Sequence, residues 1–306
     1  MQRVVSDFSK LRYRLTNDFA LDYHLVAVSV HTLITVILRA ENAGLSRTDI
    51  RSQLDAVRRL HAESPMIARM QDWPSGYAGD HKTIDLILSG RPVSPVGSLA
   101  YYLERFLLDS SASQQHRNKV AVQADVIRCV IRNNADATIL IIACGGCPDL
   151  QLLADELSHF RGQFWLNDIN GEALSDSIKA LDRIRPTIQP VNCNVVELMR
   201  QGAHLPNFDL ILAGGLFDYL ESRLAQFVIK RSYGLLRDRG KMFFTNIGCN
   251  PYRAWMEYCG EWCLIERDAQ CLRSLANQAG VPDHKVSISS EPSGLCLLYT
   301  SDAADD

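Results

Sequence analysis

The stretch from Thr138 to Asp149, Thr-Ile-Leu-Ile-Ile-Ala-Cys-Gly-Gly-Cys-Pro-Asp, constrains this chain more than any other. A run of β-branched and apolar residues stops at Gly145-Gly146, and apolar residues at helical spacing follow at Leu150, Leu152, Leu153 and Leu157. A buried parallel strand, a tight turn and a helix start are expected, the unit that receives nucleotide-like ligands in doubly wound α/β folds. A second apolar run, Phe164-Trp165-Leu166-Asn167, closes on Asp168. An acid about 20 residues beyond such a glycine turn can accept hydrogen bonds from both ribose hydroxyls. Together the two segments point to an adenosine-containing cofactor.

The rest of the second half alternates strand and helix patterns. Strands are expected at Thr138–Ile142, up to Asp168, and at Thr187–Val191, Phe208–Leu212, Lys241–Asn246 and Lys285–Ser289. Helices are expected at Gln114–Arg132, Glu172–Ile184, Ser222–Leu236 and Arg267–Gln278. Right-handed crossovers then give a mostly parallel sheet. Residues 1–112 show helical periodicity instead: Leu21–Ala40, Arg47–His61 with Ser46 or Thr48 as cap, and a helix around Leu99–Leu108. Breakers interrupt them at Trp73-Pro-Ser-Gly-Tyr-Ala-Gly-Asp80 and at Ser89–Pro95. A helical cap over residues 1–112 and a cofactor-binding domain over 113–295 are the expected division. Residues 296–306 are similar to the translated transposon end of a sequencing library and are set apart as a non-native tail, with the natural chain cut near Leu295 and the last strand missing or imitated by Cys296–Thr300.

A net charge of -3 argues against a nucleic-acid binder, which normally carries a basic face. No uninterrupted apolar run reaches the roughly 18 residues of a membrane span. The longest, Leu25–Leu38, contains Ser29, His31, Thr32 and Thr35 and reads as a core helix. The N-terminus lacks the apolar core of a signal peptide, so a cytoplasmic protein is expected. Nine cysteines without framework spacing suit a reducing compartment. Cys144-Gly-Gly-Cys147 reads as a redox pair at a helix start or as small residues lining a turn, and the surrounding α/β pattern favours the second. No second CxxC or CxxH accompanies it, so no metal site is expected.

The run from Val120 to Ser289 resembles a class I S-adenosylmethionine-dependent methyltransferase, with its landmarks in order: the glycine turn, Asp168, Asn194, Asp209 and Leu235-Leu-Arg-Asp-Arg-Gly-Lys-Met. Gly76-Tyr-Ala-Gly-Asp80, His116-Arg-Asn-Lys119, Gly215-Leu-Phe-Asp-Tyr-Leu220 and Asn250-Pro-Tyr-Arg253 with Met256-Glu257 resemble a bacterial subgroup that includes enzymes methylating the carboxyl of a hydroxy fatty acid. The resemblance implies a Rossmann-like sheet with an N-terminal α-helical cap, S-adenosyl-L-methionine as cofactor and a small-molecule substrate. It also shows a departure. The usual acid-x-Gly-x-Gly-x-Gly motif meets Ala143, Gly145, Cys147 and Asp149, so the acid before the first glycine is missing.

Methyl transfer is an in-line displacement at a sulfonium carbon, so the protein must position the nucleophile and exclude water. A carboxylate nucleophile needs no base, whereas an alcohol or ammonium does. Candidate cofactor contacts are Arg117 (for the methionine carboxylate), Cys144, Gly145, Gly146, Asp168 (for the ribose), Ile169, Asn194, Gly214 and Leu216. Asn194 meets the adenine amine or merely ends a strand. Candidate catalytic residues are Tyr77 and Asp80 in a lid loop, Asp218 and Tyr219 after the fourth strand, and Asn246 after the fifth. Asp80 reads equally as the cap of a helix beginning near His81, and Asp218 as the cap of the helix after it. His81 is a candidate base, and Trp255, Tyr258 and Trp262 read as core. Two other functions stay open: a cyclase converting the cofactor to azetidine-2-carboxylate and methylthioadenosine, and a non-catalytic nucleotide-binding module. A nicotinamide dehydrogenase is disfavoured because the glycine spacing is not Gly-x-Gly-x-x-Gly.

Overall fold

The computed structural model describes residues 1–182 and 187–303. In chain order the helices are α1 (Gln2–Ser9), α2 (Phe19–Asn42), α3 (Arg47–His61), α4 (Pro65–Asp72), α5 (His81–Ser89), α6 (Leu99–Asp109), α7 (Ser111–Asn133), α8 (Pro148–Leu152), α9 (Gly171–Ala180), α10 (Val195–Arg200), α11 (Ser222–Tyr233), α12 (Arg253–Cys259) and α13 (Ala269–Gln278). The strands are β1 (Thr138–Ile142), β2 (Gln163–Asp168), β3 (Ile188–Asn192), β4 (Phe208–Ala213), β5 (Leu236–Ile247), β6 (Val286–Ser290) and β7 (Cys296–Asp302). The chain forms two units: residues 1–116 with 250–263, and residues 117–249 with 264–306. The helical unit therefore runs slightly past residue 112 and gains a second segment, carrying α12, from between β5 and β6.

In the helical unit, α3 begins at Ser46, whose hydroxyl accepts the Asp49 N–H. Helix α12 is tied to α2 and α3 by ionic and ring contacts. Arg253 pairs with Glu41 at 2.5 Å, Arg47 with Glu257 at 3.1 Å, and Trp255 Nε1 donates to His61 Nε2 at 2.9 Å. Trp255, Tyr258 and Trp262 are core residues here, each almost fully buried. Helix α2 is longer and more apolar than the interrupted sequence suggests. Among the described residues it is the one helix long and apolar enough to cross a membrane, with a mean hydropathy of 1.6 over 18 residues. Ser29, Thr32 and Thr35 do not break it because each hydroxyl donates to the carbonyl four residues back, at 2.7–2.9 Å. Val26, Val30, Leu33, Ile34 and Ile37 form its buried stripe.

The second unit is a seven-stranded sheet in the order β3-β2-β1-β4-β5-β7-β6, with β7 antiparallel to both its neighbours and the other strands parallel to one another. Alternation along each strand divides the core between its two faces. Ile139, Ile141, Leu210, Leu212 and Phe243 pack in one cluster with Ala124 and Ile127 of α7 and Leu174 of α9. Leu140, Ile142, Ile211, Ala213 and Phe244 pack in the other with Ala225 and Val228 of α11 and Leu272 of α13. Between β1 and β4 the chain order reverses direction across the sheet, the switch point where such folds open a crevice at the carboxyl ends of the strands. Residues 296–302, set apart as a tail in the sequence, form β7 and fill the sixth position of the sheet. The helix expected to reach Ile184 ends at Ala180, and Ile184 itself lies outside the described residues.

Candidate functional site

At the carboxyl end of β1 the chain makes an unusually compact turn. Ala143, Gly145 and Cys147 have φ values of +52°, +54° and +50°, so two residues with side chains adopt the left-handed conformation that favours glycine. The sequence departure at Cys147 is thus absorbed by strain rather than by a change of backbone. The Cys147 N–H closes the turn on the Cys144 carbonyl at 2.9 Å, and Gln151 Nε2 donates to the Gly146 carbonyl at 2.7 Å. The Cys144 thiol is pushed well up, first by its contact with Cys147 and then by burial. That is the opposite of a reactive thiolate, so these cysteines are packing residues.

The turn is joined to β2 through Asp168. Its Oδ2 accepts the Gly145 N–H at 2.8 Å and its Oδ1 accepts the Asn170 N–H at 2.8 Å. Two asparagines that sequence reasoning passed over hold this corner. Asn167 Nδ2 donates to the Val191 and Cys193 carbonyls, and Asn192 Nδ2 donates back to the Asp168 and Ile169 carbonyls, all within 2.8–3.1 Å. Strand ends that would otherwise fray are cross-tied, and Asp168 is fixed. Ile169, next along, is 63% exposed, an apolar face available beside the acid.

Asn194 follows β3 and caps α10 in a reciprocal box with Glu197. Its Oδ1 accepts the Val196 and Glu197 N–H groups, both at 3.0 Å, which uses its acceptor capacity. The cap leaves Nδ2 as the side chain's remaining donor.

The carboxyl end of β4 meets α7. Lys119 and Gln123, one turn apart and each 5% exposed, face Gly214 and Gly215. A Cβ on Gly214 would lie 2.2 Å from Gln123 Nε2, and one on Gly215 would lie 3.1 Å from Lys119 Nζ. Gly215 is favoured by its φ of +112°, while a side chain at Gly214 would have to displace the Gln123 amide. Leu216 packs against the α11 side of the core. Arg117, the expected clamp, is half-buried on the same helix.

Two expected catalytic side chains are committed elsewhere. Asp218 Oδ1 accepts the Ile247 N–H at 2.6 Å, tying the turn after β4 to β5. Burial pushes its carboxyl up, against the pull of Lys119, that N–H and Arg267. Asn246 is fully buried, with Nδ2 donating to the Ile247 and Ile265 carbonyls and Oδ1 accepting from Arg267 at 2.7 Å. Both side chains brace the scaffold through these bonds. Tyr219, by contrast, is 41% exposed at the end of a short 3-10 turn.

No protein-family model and no curated protein matches the chain. Among solved structures, a candidate exported protein from Bordetella parapertussis is 14% identical with a TM-score of 0.58, over 74% of this chain and 80% of that one. A candidate O-methyltransferase from Nostoc punctiforme is 12% identical with a TM-score of 0.50, over 81% of this chain and 71% of that one. The sheet is Rossmann-like, a fold shared with these solved structures. In that fold the β1 turn, Asp168 and the β4 glycines lie along one rim, the carboxyl ends of the parallel strands.

Two candidates, Tyr77 and Asp80, lie in the helical unit. Asp80 caps α5, accepting the Thr83 N–H at 2.9 Å and the Ser75 hydroxyl at 2.6 Å and pairing with Arg69. His81, next along, is buried as the first residue of α5. Tyr77 is half-buried in the loop before them. Among the described residues no cluster of His, Cys, Asp and Glu is placed to hold a metal ion.

Proposed function

We propose that the chain is an S-adenosylmethionine-dependent methyltransferase whose acceptor is a small carboxylate such as a hydroxy fatty acid. Asp168 carries the reading: a buried acid at the end of β2, oriented by the Gly145 amide, beside the switch point of a methyltransferase-type sheet. The residues suit the cofactor, since the buried Gln123 Nε2 lacks a partner and lies against Gly214 at the end of β4. When bound, the cofactor supplies an electrophilic methyl group on its sulfonium. In this reading Asp168 takes the ribose hydroxyls, Asn194 Nδ2 donates to an adenine ring nitrogen, and Gly214 and Gly215 allow close approach at β4. Asp218 and Asn246 are bonded into the scaffold, which suits an acceptor that attacks as an anion and needs no base.

The test is incubation of the purified chain with S-adenosylmethionine alone, then with a panel of hydroxy fatty acids, with mass spectrometry of nucleosides and lipids. Intact cofactor in the first step and S-adenosylhomocysteine with a methyl ester in the second are expected. Methylthioadenosine above the spontaneous background without acceptor would replace methyl transfer by cyclisation. Binding without turnover on any acceptor would leave a nucleotide-binding module. Asp168→Ala is expected to weaken cofactor binding roughly 10-fold or more, the worth of charge-assisted hydrogen bonds.

A further inference from the structure

A methionyl end is a zwitterion and offers a protein two handles, an ammonium and a carboxylate. This chain has Ala143 where an acid would hold the first. On the other side of the switch point it carries a feature with no role in the scaffold. Lys119 is 5% exposed, yet its ammonium makes no hydrogen bond or ion pair among the described residues. One turn along α7, Gln123 is equally buried and its Nε2 is unpartnered. Both donors face the two glycines that end β4. The nearby acids do not satisfy them. Asp218 Oδ1 is held by the Ile247 N–H, and its Oδ2 lies 4.0 Å from the point, beside Gly215, that Lys119 Nζ approaches at 3.1 Å. Glu291 is occupied by Asn118, Ser293, Leu295 and Cys296.

An ammonium on a largely buried side chain and a buried amide donor without a partner, one turn apart, match a planar anion with two acceptor oxygens. Leaving the amide buried without a partner is unfavourable, and Asp218 attracts the ammonium without hydrogen-bonding it, so the pair points to a ligand group that completes them. We propose that Lys119 and Gln123 are the seat of the cofactor's methionyl carboxylate, so that this chain anchors the methionyl end by its anion rather than its cation. The proposal rests on the cofactor assignment above and moves the clamp from Arg117 to Lys119.

The experiment is calorimetric titration of the full chain with three ligands: S-adenosylhomocysteine, its decarboxylated analogue that keeps the amine, and methylthioadenosine. Lys119→Met is expected to lower affinity for S-adenosylhomocysteine roughly 10- to 100-fold while leaving the other two within about 3-fold. Gln123→Leu should show the same pattern with a smaller loss, and Lys119→Arg should recover part of the preference. Methylthioadenosine binding in each variant reports that the site is still folded. Equal effects on all three ligands, or none, would overturn the seat while leaving the cofactor assignment standing. Failure of the unaltered chain to bind any of the three would overturn both.

Discussion

Ala143 shows what one residue in the wrong region of backbone space costs. A side chain at φ +52° is strained by about 1–2 kcal/mol relative to glycine, so Ala143→Gly is expected to stabilise the chain by about 1 kcal/mol in urea unfolding. Asp149, three residues past the second glycine of the turn, is governed by burial. Its carboxyl is pushed up to about 6 from 3.8, opposed only by the Leu150 N–H and its own. A raised acid contributes stability that is complete below the unfolded value and is lost as pH rises through the folded one. The advantage of Asp149→Asn over the parent should therefore grow by about 3 kcal/mol between pH 4 and pH 7. A flat difference across that window would show that Asp149 reaches solvent. Asp168 was legible at this scale because an acid closing an apolar run has few other reasons to be there. Lys119 was not, because its burial follows only from the face of α7 that turns toward β4. The one trace was a polar pair at i and i+4 in a helix otherwise showing Val120, Ala124 and Ile127 to the core.

The elements were mostly readable from period and punctuation. Helix α3 spans Arg47–His61 as its apolar spacing and Ser46 imply. Departures arise where pairing or docking overrides local pattern. Strand β5 starts at Leu236 rather than Lys241, since Leu236 pairs with Phe208 across a register shift and Arg239 takes φ +61° within it. Helix α12 carries aromatic residues that look like any amphipathic stripe, and only tertiary contacts assign it to the helical unit. Strand β7 is anchored by Tyr299, fully buried and stacked on Phe244 with ring centroids 4.2 Å apart, which in turn stacks on Phe217 at 3.9 Å. Tyr299→Ala is expected to cost about 3–5 kcal/mol, seen as a lower denaturant midpoint with unchanged slope. A loss below 1 kcal/mol would mean that the stack is dispensable.

Across the molecule, His61 in the helical unit and Asp149 in the sheet unit respond to acid with opposite sign. His61 in the helical unit is held near 4 by burial, with Nδ1 on the Val57 carbonyl at 2.8 Å and Nε2 accepting from Trp255. A base with a depressed value loses its stabilising contribution as pH falls from 6.5 toward 4, the same interval in which Asp149 ceases to penalise the sheet unit. Hydrogen exchange, corrected for intrinsic rates, should show protection in α2 and α3 falling from pH 7 to pH 5 while that of β1 and β4 holds. Parallel loss in both would refute the division of roles. The order of the sheet has one more consequence. Strand β6 touches the sheet only through β7, and β7 also covers Lys241–Ile247 of β5. Without residues 296–302, β6 would have no strand to join, and β5 would present an open row of amides and carbonyls flanked by Phe243 and Phe244. Such an edge is a template for a strand from another molecule. The segment that seemed easiest to discard thus guards the protein against self-association.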